Sequence, residues 1–189
     1  MQIIVTESQL KLLYEQLDTS QYKRAADLRA SQWYWDHIRE EEGLRCKAYK
    51  LPGEKRYTIG YGHSSEDVKE GDVLGDGENC KTEADELLKK DSKEHADKLR
   101  KIFKEEWEEQ QGIYVPITQG MFDALLSLSY NGGAGGLRKS DVIAILKSIG
   151  ENEEKYKSAA ETIKTYRVSM PGHKGRREKE YQRFIEGLS

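Results

Sequence analysis

The stretch EEEGLRCKAYKLPGEKRYTIGYGH, residues 40–63, joins the end of a predicted helix to a predicted β-hairpin. Gly43 is a typical residue at helix C-termini, and Pro52-Gly53 suits the two central positions of a tight turn. After this turn two sets of residues alternate along the chain: Tyr57, Ile59 and Tyr61 on one face, and Thr58, Gly60 and Gly62 on the other. Because glycine has no side chain, the Thr58 face is predicted to be an open groove beside the helix end. The alternative is a packed sheet that tolerates glycine.

The helix that precedes this hairpin is predicted over residues 31–42. Its spacing places Tyr34, Trp35, Ile38 and Glu42 on one face. An apolar surrounding and the negative end of the helix dipole both favour the protonated form of a carboxylic acid. Glu42 is therefore the candidate proton donor, whereas Glu40 and Glu41 fall on other faces and are expected to be solvated.

Helical patterns account for most of the remaining chain. Thr6-Glu7-Ser8-Gln9 is a capping box that predicts an N-terminal helix. Thr82 with Asp85 is predicted to cap a long amphipathic helix, and Thr118 to open an apolar, buried helix that ends near Tyr130. Residues 140–149, 151–166 and 176–187 are predicted as further helices. The pattern predicts an α+β fold in which a long helix connects a small part containing the hairpin to a larger helical lobe.

Composition excludes several classes of protein. The 189 residues carry a formal net charge of -3 and a mean hydropathy of -0.86, which argue against nucleic acid as the main partner and against membrane insertion. Lys174, Arg176 and Arg177 form a basic cluster that we interpret as a solvated face. The four histidines lack the spacing of zinc ligands, so no metal or other cofactor is expected. The two cysteines, Cys46 and Cys80, are predicted to be thiols rather than a disulfide.

Three separated motifs carry a family resemblance. They are EGLRCKAY at 42–49 with YTIGYGH at 57–63, FDAL at 122–125 with SYNGGAG at 129–135, and PG at 171–172 ahead of GRRE at 175–178. In this order they resemble the phage-type lysozymes, the endolysin muramidases. The resemblance covers the chain from about Trp35 to the C-terminus. It implies a small lobe at about 31–81, a connecting helix at about 82–106 and a helical lobe at about 107–189, with residues 1–30 as a helical N-terminal extension.

The resemblance also implies roles for individual residues. Glu42 is the expected general acid, Thr58 is expected to help position the attacking water, and Tyr130 and Asn131 are expected to line the substrate cleft. Gly60, from the open strand face, is added as a substrate-binding residue, and His63 is expected to be structural. The implied substrate is the β-1,4 bond between N-acetylmuramic acid and N-acetylglucosamine in peptidoglycan.

The sequence departs from the family at one position. The family pattern has an aspartate, the base that activates water, where this chain has Leu51, or Pro52 if the alignment is counted from Thr58. One hypothesis is that Glu54 substitutes, because a tight turn places residues 51 and 54 opposite each other. A second is a lytic transglycosylase that uses Glu42 alone. A third is a weak or inactive protein that binds peptidoglycan or forms part of a virion.

The partners follow from these hypotheses. We expect a monomer that acts on peptidoglycan, with residues 1–30 as a possible contact to a virion or delivery partner. The first residues lack the pattern of a secretion signal. Synthesis in the host cytoplasm followed by action at the periplasmic cell wall is therefore expected, with a holin or an injection device as the route.

Overall fold

The computed structural model describes residues 21–75, 79–112, 115–147, 153–168, 172–186 and 188. The helix predicted from the capping box at residues 6–9 lies outside these ranges. Residues 21–30, which the sequence assigned to the N-terminal extension, pack on the rest of the protein. Lys23 and Ile117 exchange two backbone hydrogen bonds of 2.9 Å, and Ala25 and Leu28 are buried. Part of residues 21–30 therefore belongs to the same hydrophobic core as the helices.

Helix α1, Gln32–Glu42, confirms the helix predicted before the hairpin. It ends at Gly43, which has a positive φ of 66° and whose N–H bonds to the carbonyl of Arg39. Tyr34 and Ile38 are buried on the inner face of the helix. This arrangement fixes Glu42 as the last helical residue, directly before the chain turns into the sheet.

A three-stranded antiparallel sheet follows, in the order β1-β2-β3. The strands are β1 Arg45–Tyr49, β2 Thr58–Gly60 and β3 His63–Ser64. The predicted hairpin is confirmed: Tyr49 pairs with Thr58, and the Glu54 N–H bonds to the Leu51 carbonyl across the turn.

Gly60 does not leave an open strand face. Its φ is +67°, it is buried, and a Cβ built on it would lie 3.5 Å from the Cβ of Ala84 and from Leu74 Cδ1. Gly60 thus packs against the long helix, because its left-handed conformation breaks the simple alternation of the strand. The prediction that Gly60 presents an open face to a groove is wrong, and its assignment to substrate binding stays a prediction.

Helix α2, Cys80–Phe103, is the predicted long helix and continues as a π-helical segment, Lys104–Glu109. It begins two residues before the predicted cap, so Thr82 lies inside its first turn and not at the cap. Ala84, Leu88 and Leu99 are buried on its inner face, together with Ile102 and Phe103 at its end. The register of the apolar stripe was therefore predicted correctly, apart from Leu87, which is half-buried.

Cys46 and Cys80 form a disulfide, so the prediction of two thiols is wrong. Strand β1 and the N-terminus of α2 bring the two Cα atoms to 5.7 Å, within the range that a disulfide requires. A separation of 34 residues along the chain carries no local signal for such a contact. The bond ties the sheet to the connecting helix.

Five further α-helices follow in the described part of the chain: α3 Gln119–Gly132, α4 Ala134–Arg138, α5 Asp141–Lys147, α6 Glu153–Ile163 and α7 His173–Ile185. The Thr118 side chain caps α3 by accepting from the Met121 N–H, as predicted, and α3 is almost entirely buried. Helix α4 was not predicted, and α7 begins three residues before its predicted start. Among the described residues, no helix is long and apolar enough to cross a membrane.

Candidate active site

Glu42 faces an arginine. Arg176 of α7 donates from Nη1 to Glu42 Oε1 at 2.6 Å, and the side chains of Arg176 and Glu42 are 5% and 22% exposed. The sequence predicted an apolar surrounding for Glu42 and missed this guanidinium, which is 134 residues away along the chain. The interpretation of the basic cluster as a solvated face is likewise wrong for Arg176 and Arg177, which are buried.

Gly62 and Tyr130 also lie close to Glu42. A Cβ built on Gly62 would be 3.3 Å from Glu42 Oε2 and 3.8 Å from Tyr130 Cε1, so these three residues meet. The Tyr130 hydroxyl donates to the Tyr61 carbonyl at 2.8 Å, which fixes the ring at the end of α3. Burial, and then the carboxylate of Asp91, raise the pKa of Tyr130, so its hydroxyl remains protonated.

The hairpin turn carries a second carboxylate. The Leu51 N–H donates to Glu54 Oε2 at 3.1 Å, so the Glu54 side chain folds back on the backbone of Leu51, which stands where the family pattern has an aspartate. Burial raises the pKa of Tyr49, and the carboxylates of Glu42 and Glu54 raise it further. Tyr49 therefore lies in the electrostatic field of both acids. Thr58 pairs directly with Tyr49, and directly paired residues project to the same face of an antiparallel sheet.

Asn131, the other predicted cleft residue, is held by an arginine. Arg177 donates from Nη2 to Asn131 Oδ1 at 2.7 Å. Arg176 and Arg177 both pair with Glu180, which is fully buried on the same helix. Sequence reasoning missed this group, although Arg176 and Arg177 precede Glu180 by four and three residues, the spacing at which helical side chains meet.

The remaining acids of the opening stretch are also paired. Lys179 Nζ lies 2.7 Å from Glu40 Oε1 and 2.9 Å from Glu41 Oε1. Glu40 is exposed, as expected, but the Glu41 side chain is only 15% exposed, so the prediction that it is solvated is wrong. Helix α7 thus binds all three consecutive glutamates at the end of α1.

Two histidines connect α2 to the elements around the site. His63 Nδ1 lies 2.9 Å from Asp91 Oδ2, which joins β3 to α2. One turn further along α2, His95 Nδ1 lies 3.1 Å from Ser129 Oγ, and its ring is 5.3 Å from that of Tyr130. Burial lowers the pKa of His95 and so favours its neutral form. These contacts fit a structural role for His63, as the sequence predicted.

The sheet, the long helix and the acid at a helix end are features of lysozyme-like proteins, and the comparison with known families agrees. The chain belongs to the phage lysozyme family, whose model matches residues 39–180.

Two curated relatives are endolysins of Bacillus phages. The endolysin of Bacillus phage B103 is 37% identical over 156 residues, which are 80% of this chain and 52% of the relative. That of Bacillus phage PZA is 38% identical over 110 residues, 58% of this chain and 37% of the relative. The chain therefore spans about half, or less, of the length of these relatives.

Solved structures share the fold over most of the chain. An endolysin from Escherichia coli O157:H7 phage FAHEc1 superposes with a TM-score of 0.66 at 26% identity, covering 85% of this chain and 95% of that one. The muramidase domain of SpmX from Asticaccaulis excentricus gives the same TM-score at 25% identity, covering 84% and 98%. The lysozyme-like α+β fold predicted from the sequence is confirmed.

Proposed function

We propose that the protein is a peptidoglycan glycosidase that hydrolyses the β-1,4 bond between N-acetylmuramic acid and N-acetylglucosamine. The observation that carries the proposal is the position of Glu42 at the end of α1, between Arg176, Gly62 and Tyr130, in a chain of the phage lysozyme family. An acid at this place can protonate the leaving sugar oxygen. Tyr130 and Asn131, at the end of α3, are proposed to contact the substrate.

Glu54 is proposed as the base that activates the attacking water. Its support is the hydrogen bond from the Leu51 N–H to Glu54 Oε2, which brings the carboxylate next to the backbone of the residue that stands where the family pattern has an aspartate. Thr58 is proposed to orient the same water, because it shares a strand face with Tyr49, which lies in the field of both acids.

The first experiment is digestion of purified sacculi, with muropeptides analysed by mass spectrometry. Hydrolysis gives muropeptides with a reducing muramic acid end, and we expect Glu42→Gln to lower the rate at least about 100-fold. Products with a 1,6-anhydro end would instead establish a transglycosylase. If the wild-type protein binds sacculi without releasing products, the glycosidase proposal fails and a binding role replaces it.

A pair of substitutions tests the base. Glu54→Gln is expected to lower the rate about 100-fold or more, and adding Leu51→Asp in that background should restore part of it, because a carboxylate then returns to the family position. Turnover of Glu54→Gln equal to that of the wild-type protein would exclude Glu54 as the base. The Lys55→Gln variant, also in the exposed loop, is the control for nonspecific effects of substitution there.

Delivery and assembly are the remaining parts of the proposal. We propose a monomer that is made in the host cytoplasm and reaches the cell wall with a holin or as part of a virion, with the first residues of the chain as the contact to a delivery partner. Sedimentation of the full chain tests the monomer, and immunodetection in purified virions tests the association with particles.

A further inference from the structure

We propose that Glu180 is a positioning residue that organises both sides of the candidate active site at once. The proposal rests on the proposed function in one respect, namely that Glu42 is the general acid. Glu180 does not reach the site itself. It acts through two consecutive arginines.

The surroundings of Glu180 are polar although it is fully buried. Arg176 donates from Nε to Glu180 Oε1 at 3.3 Å, and Arg177 Nη1 lies 2.9 Å from Oε2. Ser127 of α3 donates its hydroxyl to Oε1, and His37 Nε2 of α1 lies 3.7 Å from the same oxygen. A buried carboxylate without partners is very costly, so this cluster fixes Glu180 between three helices.

Each arginine has a second partner in the site. Arg176 also donates a hydrogen bond to Glu42 at 2.6 Å, and Arg177 donates one to Asn131 at 2.7 Å. A guanidinium is planar and presents its donors in a fixed geometry, so an arginine bound at both ends has little freedom to rotate. The orientation of the proposed acid and that of the proposed substrate-binding amide therefore depend on the same carboxylate.

The Glu180→Gln variant tests this positioning role. The amide keeps the shape of the side chain but removes the charge that holds both guanidinium groups, so Arg176 and Arg177 are no longer fixed. On sacculi, kcat is expected to fall and KM to rise, each at least several-fold, because the proposed acid and the proposed substrate-binding amide both lose their orientation. Values of kcat and KM equal to those of the wild-type protein would overturn the proposal.

Two further variants separate the two arginines. Glu178→Gln makes the same change of charge on an exposed residue of the same helix, and its kcat and KM should match those of the wild-type protein. Arg177→Gln removes the hydrogen bond to Asn131 and the contact with Glu180 Oε2 but keeps Arg176 between Glu180 and Glu42, so KM should rise several-fold with little change in kcat. If Glu180→Gln does not fold, the Glu180→Gln/Arg177→Gln double variant removes one charge of each sign and should show the fall in kcat that Arg177→Gln alone lacks. An unchanged kcat in that variant contradicts the proposal.

A readout independent of activity distinguishes this proposal from the proposed function. In the ¹H–¹⁵N NMR spectrum of the wild-type protein, the Arg176 Nε–H should exchange slowly with water, and it should exchange at least about tenfold faster in Glu180→Gln because its acceptor charge is lost. An unchanged exchange rate would overturn the positioning role even if the enzyme were active. Conversely, if the protein does not cleave sacculi but the exchange rate rises as expected, the positioning role holds and only the catalytic proposal fails.

Discussion

At Gly62 the backbone lies close to the side chain of the proposed acid. Its φ is +93°, and a Cβ there would lie 3.3 Å from Glu42 Oε2. Gly62→Ala is expected to lower kcat at least about tenfold, because the added methyl displaces the carboxylate, and to cost about 1–2 kcal/mol of stability.

Gly71 provides the matched control for that substitution. Its φ is +89°, and a Cβ there would have no heavy atom within 4 Å. Gly71→Ala should therefore show the loss of stability in chemical denaturation but keep its rate on sacculi. Equal rates for the two alanine variants would contradict the contact between Gly62 and Glu42.

His95 makes the stability of the fold depend on pH. Burial lowers its pKa below the ordinary value of 6.5, so the folded protein binds a proton there less readily than the unfolded chain. This contribution is fully present above pH 6.5 and is lost as the pH falls from there through the lowered value in the folded state. Urea denaturation between pH 7 and about pH 5 should show stability falling in this window, and His95→Gln should reduce that slope. A slope that is the same in both proteins would exclude His95 as its source.

At the scale of single residues, local motifs predicted features set by residues close together in the sequence. They missed the contacts between residues that are far apart in the sequence. Glu42 became a candidate because of its helix face and the glycine after it, and Glu54 became a candidate because of the geometry of the turn. Arg176 reaches Glu42 from a helix more than 130 residues later, so no periodicity could connect them. The pattern Arg-Arg-x-x-Glu on α7 was the one available signal, because its spacing brings opposite charges together.

The disulfide is the clearest element-scale feature, because it joins β1 to the start of α2 across 34 residues. Closing a loop of this length stabilises a protein by about 3–4 kcal/mol in the chain-entropy account. The Cys46→Ser/Cys80→Ser variant and the reduced wild-type protein are both expected to lose about this amount in thermal or urea denaturation. Reducing agent should have no effect on the variant. A wild-type protein equally stable with and without reductant would contradict the prediction.

Elements with strong local patterns were predicted, and those that depend on context were not. The hairpin, α1, α2 and α3 all have clear periodicity with turn or cap residues. Helix α4, in contrast, contains Gly135 and Gly136, and glycine disfavours helices in isolation. It forms because Leu137 is fully buried and because the backbone N–H groups of Gly136 and Leu137 bond to the carbonyl of Gly133. Tertiary packing thus overrides a weak local propensity.

At the scale of the whole molecule, Asp123 holds together the helices that carry the site. It is fully buried on α3 and accepts from the Ser31 N–H at 3.1 Å and from the Ser31 hydroxyl at 2.6 Å, at the start of α1. Arg183 of α7 donates to the same carboxylate at 2.8 Å. One side chain therefore joins α1, α3 and α7, the helices that provide Glu42, Tyr130 and Arg176.

Asp123→Asn tests whether this junction stabilises the fold as a unit. The amide leaves Arg183 with only the exposed Glu186 as a counterion, and breaking a buried pair costs about 3–5 kcal/mol. Asp97→Asn is the control, because Asp97 is 61% exposed and pairs with Arg100 at the surface, where an ion pair contributes at most about 1 kcal/mol. Because Asp123 joins its own helix to two others, its loss should lower the urea midpoint of a single cooperative unfolding transition. The transition is monitored by tryptophan fluorescence and by circular dichroism. If the two probes separate, or if Asp123→Asn is no less stable than Asp97→Asn, the three helices do not depend on this carboxylate.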